Sequence, residues 1–89
     1  MTRVVNLDKL IELAGGDHEL VTVLLDEGLI MEDDGGFAPD QVDRVLVSRT
    51  LVRELEVNMA GVDIILRLRS ELAVARRRLV ELGEDIDDD

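Results

Sequence analysis

The chain has 89 residues, 46% hydrophobic, with Phe37 as its single aromatic residue, no cysteine and a net charge of −11. That is enough for one small domain with an aliphatic core. It excludes disulfides, thiolate metal sites and cysteine nucleophiles, and no apolar run approaches the roughly 18 residues of a membrane span.

The opening MTRVVNLDKLIELAGG is too polar for a secretory signal, which points to a cytoplasmic protein. Asn6 suits the N-cap of a first helix over 7–14, with Leu7, Leu10, Ile11 and Ala14 on one face. Gly15-Gly16 ends it. Asp17 caps a second helix over 18–27 that turns Leu20, Val21, Leu24 and Leu25 inward, and Gly28 stops it. So short a connection is that of a helix-turn-helix corner. Leu29-Ile30-Met31 reads as a short strand, Asp34-Gly35-Gly36 as a turn and Phe37 as the return strand, together a small β-hairpin wing.

Pro39 fits the first position of a third helix, running to about Leu55 with Val42, Val45, Leu46, Val52 and Leu55 inward. Asn58 caps a long last helix to Leu82. In it Ile65, Leu68, Leu72, Ala75, Leu79 and Leu82 recur at alternating steps of three and four, an a/d seam. The expected organisation is a module over 1–57, a long helix over 58–82, and a disordered acidic tail over 83–89. A domain this small leaves the far end of that seam uncovered. A second copy is the simplest cover, so Ile65, Leu68, Leu72, Ala75, Leu79 and Leu82 are the expected dimerisation residues of a homodimer, with orientation left open.

Charge is unevenly placed. Residues 1–38 hold nine acids against Arg3 and Lys9, 39–82 hold seven acids and eight arginines, and 83–89 hold five acids and no base. A DNA-reading second helix needs cations or donors, and a wing needs cations for phosphate. This second helix offers His18, Glu19, Thr22, Asp26 and Glu27, and the wing region offers Glu32, Asp33 and Asp34. Direct DNA binding is therefore not expected, and the partner should be basic. Glu19, Asp26, Glu27, Glu32, Asp33 and Asp34 form the expected rim of a binding face. Leu29, Met31 and Phe37 are candidate apolar anchors, with Met31 nearest its centre. Leu29 and Phe37 read better as core.

Helix, tight turn, helix, Gly28-Leu29-Ile30, glycine turn, helix and long final helix is the order of a MerR-type winged-helix domain. The segment LVRELEVNMAGVDIILRLRSEL, 51–72, and above all Leu55-Glu56-Val57-Asn58-Met59-Ala60-Gly61-Val62, resembles the junction of CbpM-type chaperone modulators. The resemblance spans about 6–82. It implies a mainly α, MerR-like winged helix-turn-helix, a non-enzymatic regulator and, by analogy with MerR-like dimers, antiparallel pairing of the last helix. Such a protein binds the J-domain of a DnaJ/CbpA-type co-chaperone and governs its access to Hsp70. Two alternatives stay open: a MerR-family transcriptional regulator binding DNA as a dimer, and a structural module docking through its last helix. One histidine and no cysteine leave no expected triad, zinc site, metal or cofactor. Arg76-Arg77-Arg78 reads as a solvated face near a helix C-terminus.

Overall fold

Residues 3–83 are described by a computed structural model. The chain is mainly α. Helix α1 covers Leu7–Leu13, α2 His18–Asp26, α3 Pro39–Arg49 continuing into a π-helical turn Thr50–Glu54, and α4 Met59–Glu81. The expected acidic tail lies, from residue 84 onward, outside the described residues.

Side-chain caps set three of the four helix starts. Asn6 Oδ1 accepts from the Lys9 N–H at 2.8 Å, Asp17 Oδ1 from the Leu20 N–H at 3.2 Å and Asn58 Oδ1 from the Gly61 N–H at 2.8 Å. The fourth, α3, has no side-chain cap and begins at Pro39, which has no N–H to satisfy. At the end of α2, Gly28 takes φ +73°. That bend lets the Leu29 N–H donate back to the Leu24 carbonyl at 2.9 Å and turns Leu29 into the core.

The expected β-hairpin wing is not seen. Residues 29–31 form no strand, because Leu29 and Ile30 are buried in the core as single side chains. The turn is real but minimal. Asp33 and Gly36 exchange backbone hydrogen bonds of 2.7 and 3.1 Å, and Asp34 and Gly35 between them both have positive φ, the tight turn that Asp-Gly favours. Phe37 does not return along 29–31. It pairs with Val5 through two backbone hydrogen bonds, 3.0 and 2.7 Å, so the segment closes on the N-terminus instead. Gly36 permits this. A Cβ there would lie 2.8 Å from Val4 Cβ and 2.9 Å from the Val5 carbonyl oxygen.

The core holds Leu10 and Ala14 of α1, Leu20, Val21 and Leu24 of α2, Leu29, Ile30 and Phe37 of the connection, Val45 of α3, and Val62 and Leu66 of α4. Leu46 and Leu55, expected inward, are exposed, and so is Leu7. Val45 is buried and Val42 and Val52 are half-buried against the core, as expected, and Ser48 of α3 joins the inward line. Ser48 is fully buried, and its hydroxyl donates to the Arg44 carbonyl at 2.7 Å, which satisfies it without another partner. Beyond Arg49 the wider π turn shifts the register, and Leu55 swings outward. The Leu55 N–H donates to the Thr50 carbonyl, five residues back, at 3.2 Å.

Arginines fasten the elements together. Arg53 donates to both carboxylate oxygens of Asp17 at 2.7 and 2.9 Å, tying the π turn to the cap of α2. Arg44 donates to the Leu29 carbonyl at 2.7 Å and to Ser70 Oγ at 3.2 Å, and Arg69 reaches Asp43 at 3.2 Å. These bonds join α3 to the connection and to α4. The first turns of α4 share the core of the preceding helices through Val62 and Leu66. From Arg67 to Gly83 every residue is exposed. A helix of this length runs about 34 Å, so its second half projects from the packed part.

Candidate functional site

Acids at the end of α2 and in the following turn make the most distinctive surface. Glu19 and Asp26, seven residues apart on α2, share a face about 10 Å apart along the axis. Asp26 closes the helix, and Glu27 is its C-cap residue. Glu32, Asp33 and Asp34 follow within the turn, all exposed. Met31 sits between the two groups with 65% of its surface exposed, and its backbone is held by the N–H donating to Gln41 Oε1 at 2.8 Å. Leu29 and Phe37 are core residues and unavailable as anchors. Gln41 has no signal in the sequence, since its role depends on α3 folding back across the connection.

These acids differ in how they are partnered. Asp17 is fully engaged: it caps α2 and accepts the Arg53 guanidinium, whose hydrogen bonds hold its carboxyl below the usual carboxylate range against a smaller opposing effect of burial. Glu19 lies 3.9 Å from Arg53, a loose pair on an exposed side chain. Asp26, Glu27, Glu32, Asp33 and Asp34 enter no ion pair among the described residues, whose pairs are Lys9–Glu12, Arg53 with Asp17 and Glu19, Arg67–Asp63 and Arg69–Asp43.

Position makes Asp26 and Glu27 more notable still. They stand at the negative end of the α2 dipole, whose last turn contains no basic residue. Acids there are disfavoured by roughly 0.3–1 kcal/mol each. Folding would be better served by lysines.

The second surface is the seam of α4. Ile65 is half-buried. Leu68, Leu72, Ala75, Leu79 and Leu82 are exposed, with Leu72 at 59% and Leu82 at 70%. Glu71, Val74, Ala75, Arg78, Leu79 and Leu82 line a shallow apolar hollow on this face. A larger groove of about 490 Å³ lies between α3 and α4, lined by Asp40, Asp43 and Arg44 of α3 and by Leu66, Arg69, Leu72, Val74 and Arg76 among the residues of α4, so it reaches the seam at Leu72.

Among the described residues, no group of three or more His, Asp or Glu side chains could hold a metal ion, and no helix is long and apolar enough to cross a membrane. His18 is an exposed residue at the start of α2, and its carbonyl accepts from the Thr22 hydroxyl at 3.0 Å.

The fold and its surfaces define a small, mainly α module with exposed acids at the end of α2 and in the following turn, and one long helix whose second half is exposed. Comparison with protein-family models, with curated proteins and with solved structures gave no match. The likeness to chaperone modulators therefore rests on the residues of 51–72 quoted above.

Proposed function

We propose that the protein is a non-enzymatic adaptor whose acidic face, Asp26, Glu27, Glu32, Asp33 and Asp34 around exposed Met31 with Glu19 at its edge, binds a basic helix of a partner protein. The observation that carries this reading is the set of five acids that enter no ion pair among the described residues, two of them at the end of a helix that would be steadier without them. The partner is the J-domain of a DnaJ/CbpA-type co-chaperone, as the resemblance of residues 51–72 implies. Binding covers the basic surface through which a J-domain reaches its Hsp70, so regulation is by competition and no bond is made or broken.

In this reading α1 and α2 are a helix-turn-helix of MerR type whose ligand has changed. A DNA duplex approaching α2 would meet acids and release no counterions there. A cationic helix would be drawn in at long range and oriented by the same charges, and Met31 would supply apolar contact. Steering of this kind is screened by salt, with a Debye length of about 8 Å at physiological ionic strength.

Calorimetric titration of the protein with purified J-domain at low and physiological salt tests this. Binding in the micromolar range or tighter that weakens with salt supports both the partner and the face. Salt-indifferent binding keeps the partner and moves the site. No binding at either salt removes the co-chaperone reading.

A further inference from the structure

We infer that the acidic segment 84–89 of this chain, which lies outside the described residues, docks on the projecting half of its own α4, at the outer end of the groove between α3 and α4, against Arg76 and Arg77. The starting observation is the side of α4 that packs on the core. Val62, Leu66, Arg69, Ala73, Arg76 and Val80 follow one another at steps of three and four, so they share one side of the helix, with Arg77 beside them. Val62 and Leu66 are fully buried. Beyond Leu66 the same side turns cationic, and Arg69, Ala73, Arg76 and Arg77 line the groove.

These arginines differ in how they are met. Arg69 reaches Asp43 at 3.2 Å. Arg76 and Arg77 enter no ion pair among the described residues. Arg76 has no acid three or four residues away on its helix, and Glu81, four residues on from Arg77, is not paired with it. The helix dipole favours cations in the last turn, which accounts for Arg78. Arg76 and Arg77 stand ahead of that turn.

The acids that suit them begin a few residues on. Gly83 has φ +83°, and its N–H donates to the Val80 carbonyl at 3.0 Å, an ending that turns the chain off the helix axis. The residues after it are Glu84, Asp85, Ile86, Asp87, Asp88 and Asp89. A segment of that length reaches at most about 20 Å. Arg76 lies about 10 Å back along the axis from Gly83, so 84–89 can pass both arginines and goes no further than the level of Arg69, where Asp43 is already seated. Between the arginines Ala73 and exposed Val80 leave an apolar strip for Ile86, the one apolar side chain of the segment. Tethering supplies a high effective concentration that an acidic segment of another protein lacks. Where the acidic face binds a basic partner, as proposed above, acids held on their own arginines would not compete for that partner. The docking itself is tested with no partner present.

NMR of the full chain reads it, using an Asp88→Cys variant that carries a nitroxide label, since the chain has no native thiol. The label should weaken the amide signals of Ala73 on one wall of the groove and of Asp40 and Asp43 on the other. Adding Arg76→Gln/Arg77→Gln should restore those signals, and the fold should persist because both side chains are exposed. Adding Arg78→Gln, which removes a charge from the hollow on the seam side, should not restore them. Nitroxide-labelled chain mixed with isotope-enriched chain that carries no nitroxide should weaken nothing. Asp40 and Asp43 signals that the label leaves at full strength, or weakening that survives Arg76→Gln/Arg77→Gln, overturn the docking. Equal restoration by Arg78→Gln overturns the groove as its place, and weakening in the mixture overturns docking within one chain.

Discussion

The two ends of α2 put the same residue type to opposite uses. At its start, Asp17 lies where the helix dipole welcomes an acid, caps the Leu20 N–H and receives Arg53 on both oxygens. At its end, Asp26 and Glu27 lie where the dipole disfavours acids, with no cation beside them among the described residues. An acid whose neighbours satisfy it is explained by folding. An acid placed against the local field, with no ion pair among the described residues, is not explained by folding, and that contrast is what the proposed binding face rests on.

If the contrast holds, changes at the two ends should give opposite signatures. The largest effect should come from Asp26→Lys/Glu27→Lys/Asp33→Lys/Asp34→Lys. Titration should show J-domain binding lost by a hundredfold or more, while circular dichroism reports unchanged helix content. Removing the core residue Phe37 gives the scale of a purely structural loss. Phe37→Ala should cost about 3–5 kcal/mol in urea unfolding, a large part of the stability of so small a domain.

At the folding end of α2, Asp17→Ala should cost about 1–2 kcal/mol through the lost cap and leave binding unchanged in the same titration. The pH dependence has a definite sign. The carboxyl of Asp17 is held below its ordinary value, about 3.9, in the folded state. Its stabilisation is present above that value and disappears as pH falls through the lower folded value. Unfolding midpoints measured downward from pH 5 should fall more for the native chain than for Asp17→Asn.

Smaller effects belong to the binding end. Met31→Ala should weaken binding about tenfold, roughly 1.4 kcal/mol, without lowering the unfolding midpoint, since its side chain packs little of its surface. Smallest of all, Asp26→Lys/Glu27→Lys should raise stability by about 0.3–1 kcal/mol per site, measured by urea unfolding.

Much of this architecture is legible in the sequence. Asn6, Asp17 and Asn58 mark helix starts that the structure keeps, because an N-cap is a local interaction complete within three residues. Gly28 and Pro39 likewise mark an end and a start. The failure of the hairpin involves partners distant along the chain, and the misplaced leucines a change of helical phase. The segment 29–37 has the composition of a hairpin, but Leu29 and Ile30 are drawn into the core and Phe37 pairs with Val5, over thirty residues away in sequence. Leu46 and Leu55 keep helical spacing yet face outward: on α3 Val45 and Ser48 take the inward positions, and at Leu55 the π turn changes the phase.

The site divides the same way. The acids and Met31 are visible as residue types, and the structure leaves them exposed. That Asp17 belongs to folding while Asp26 and Glu27 do not depends on Arg53, thirty-six residues from Asp17. No local pattern announces that bond. The seam of α4 shows in its spacing, whereas the point where its burial stops, at Leu66, depends on the packing of the rest of the chain.

The most direct test of the central claim takes one preparation of the Asp26→Lys/Glu27→Lys variant beside the native chain. Both are unfolded in urea and both are titrated with J-domain at low salt. The variant should be more stable and bind more weakly, if these acids stand where a partner needs them and the helix does not. A variant that is less stable would show that the acids serve the fold, and one that binds as tightly as the native chain would show that the acidic end of α2 is not the binding face.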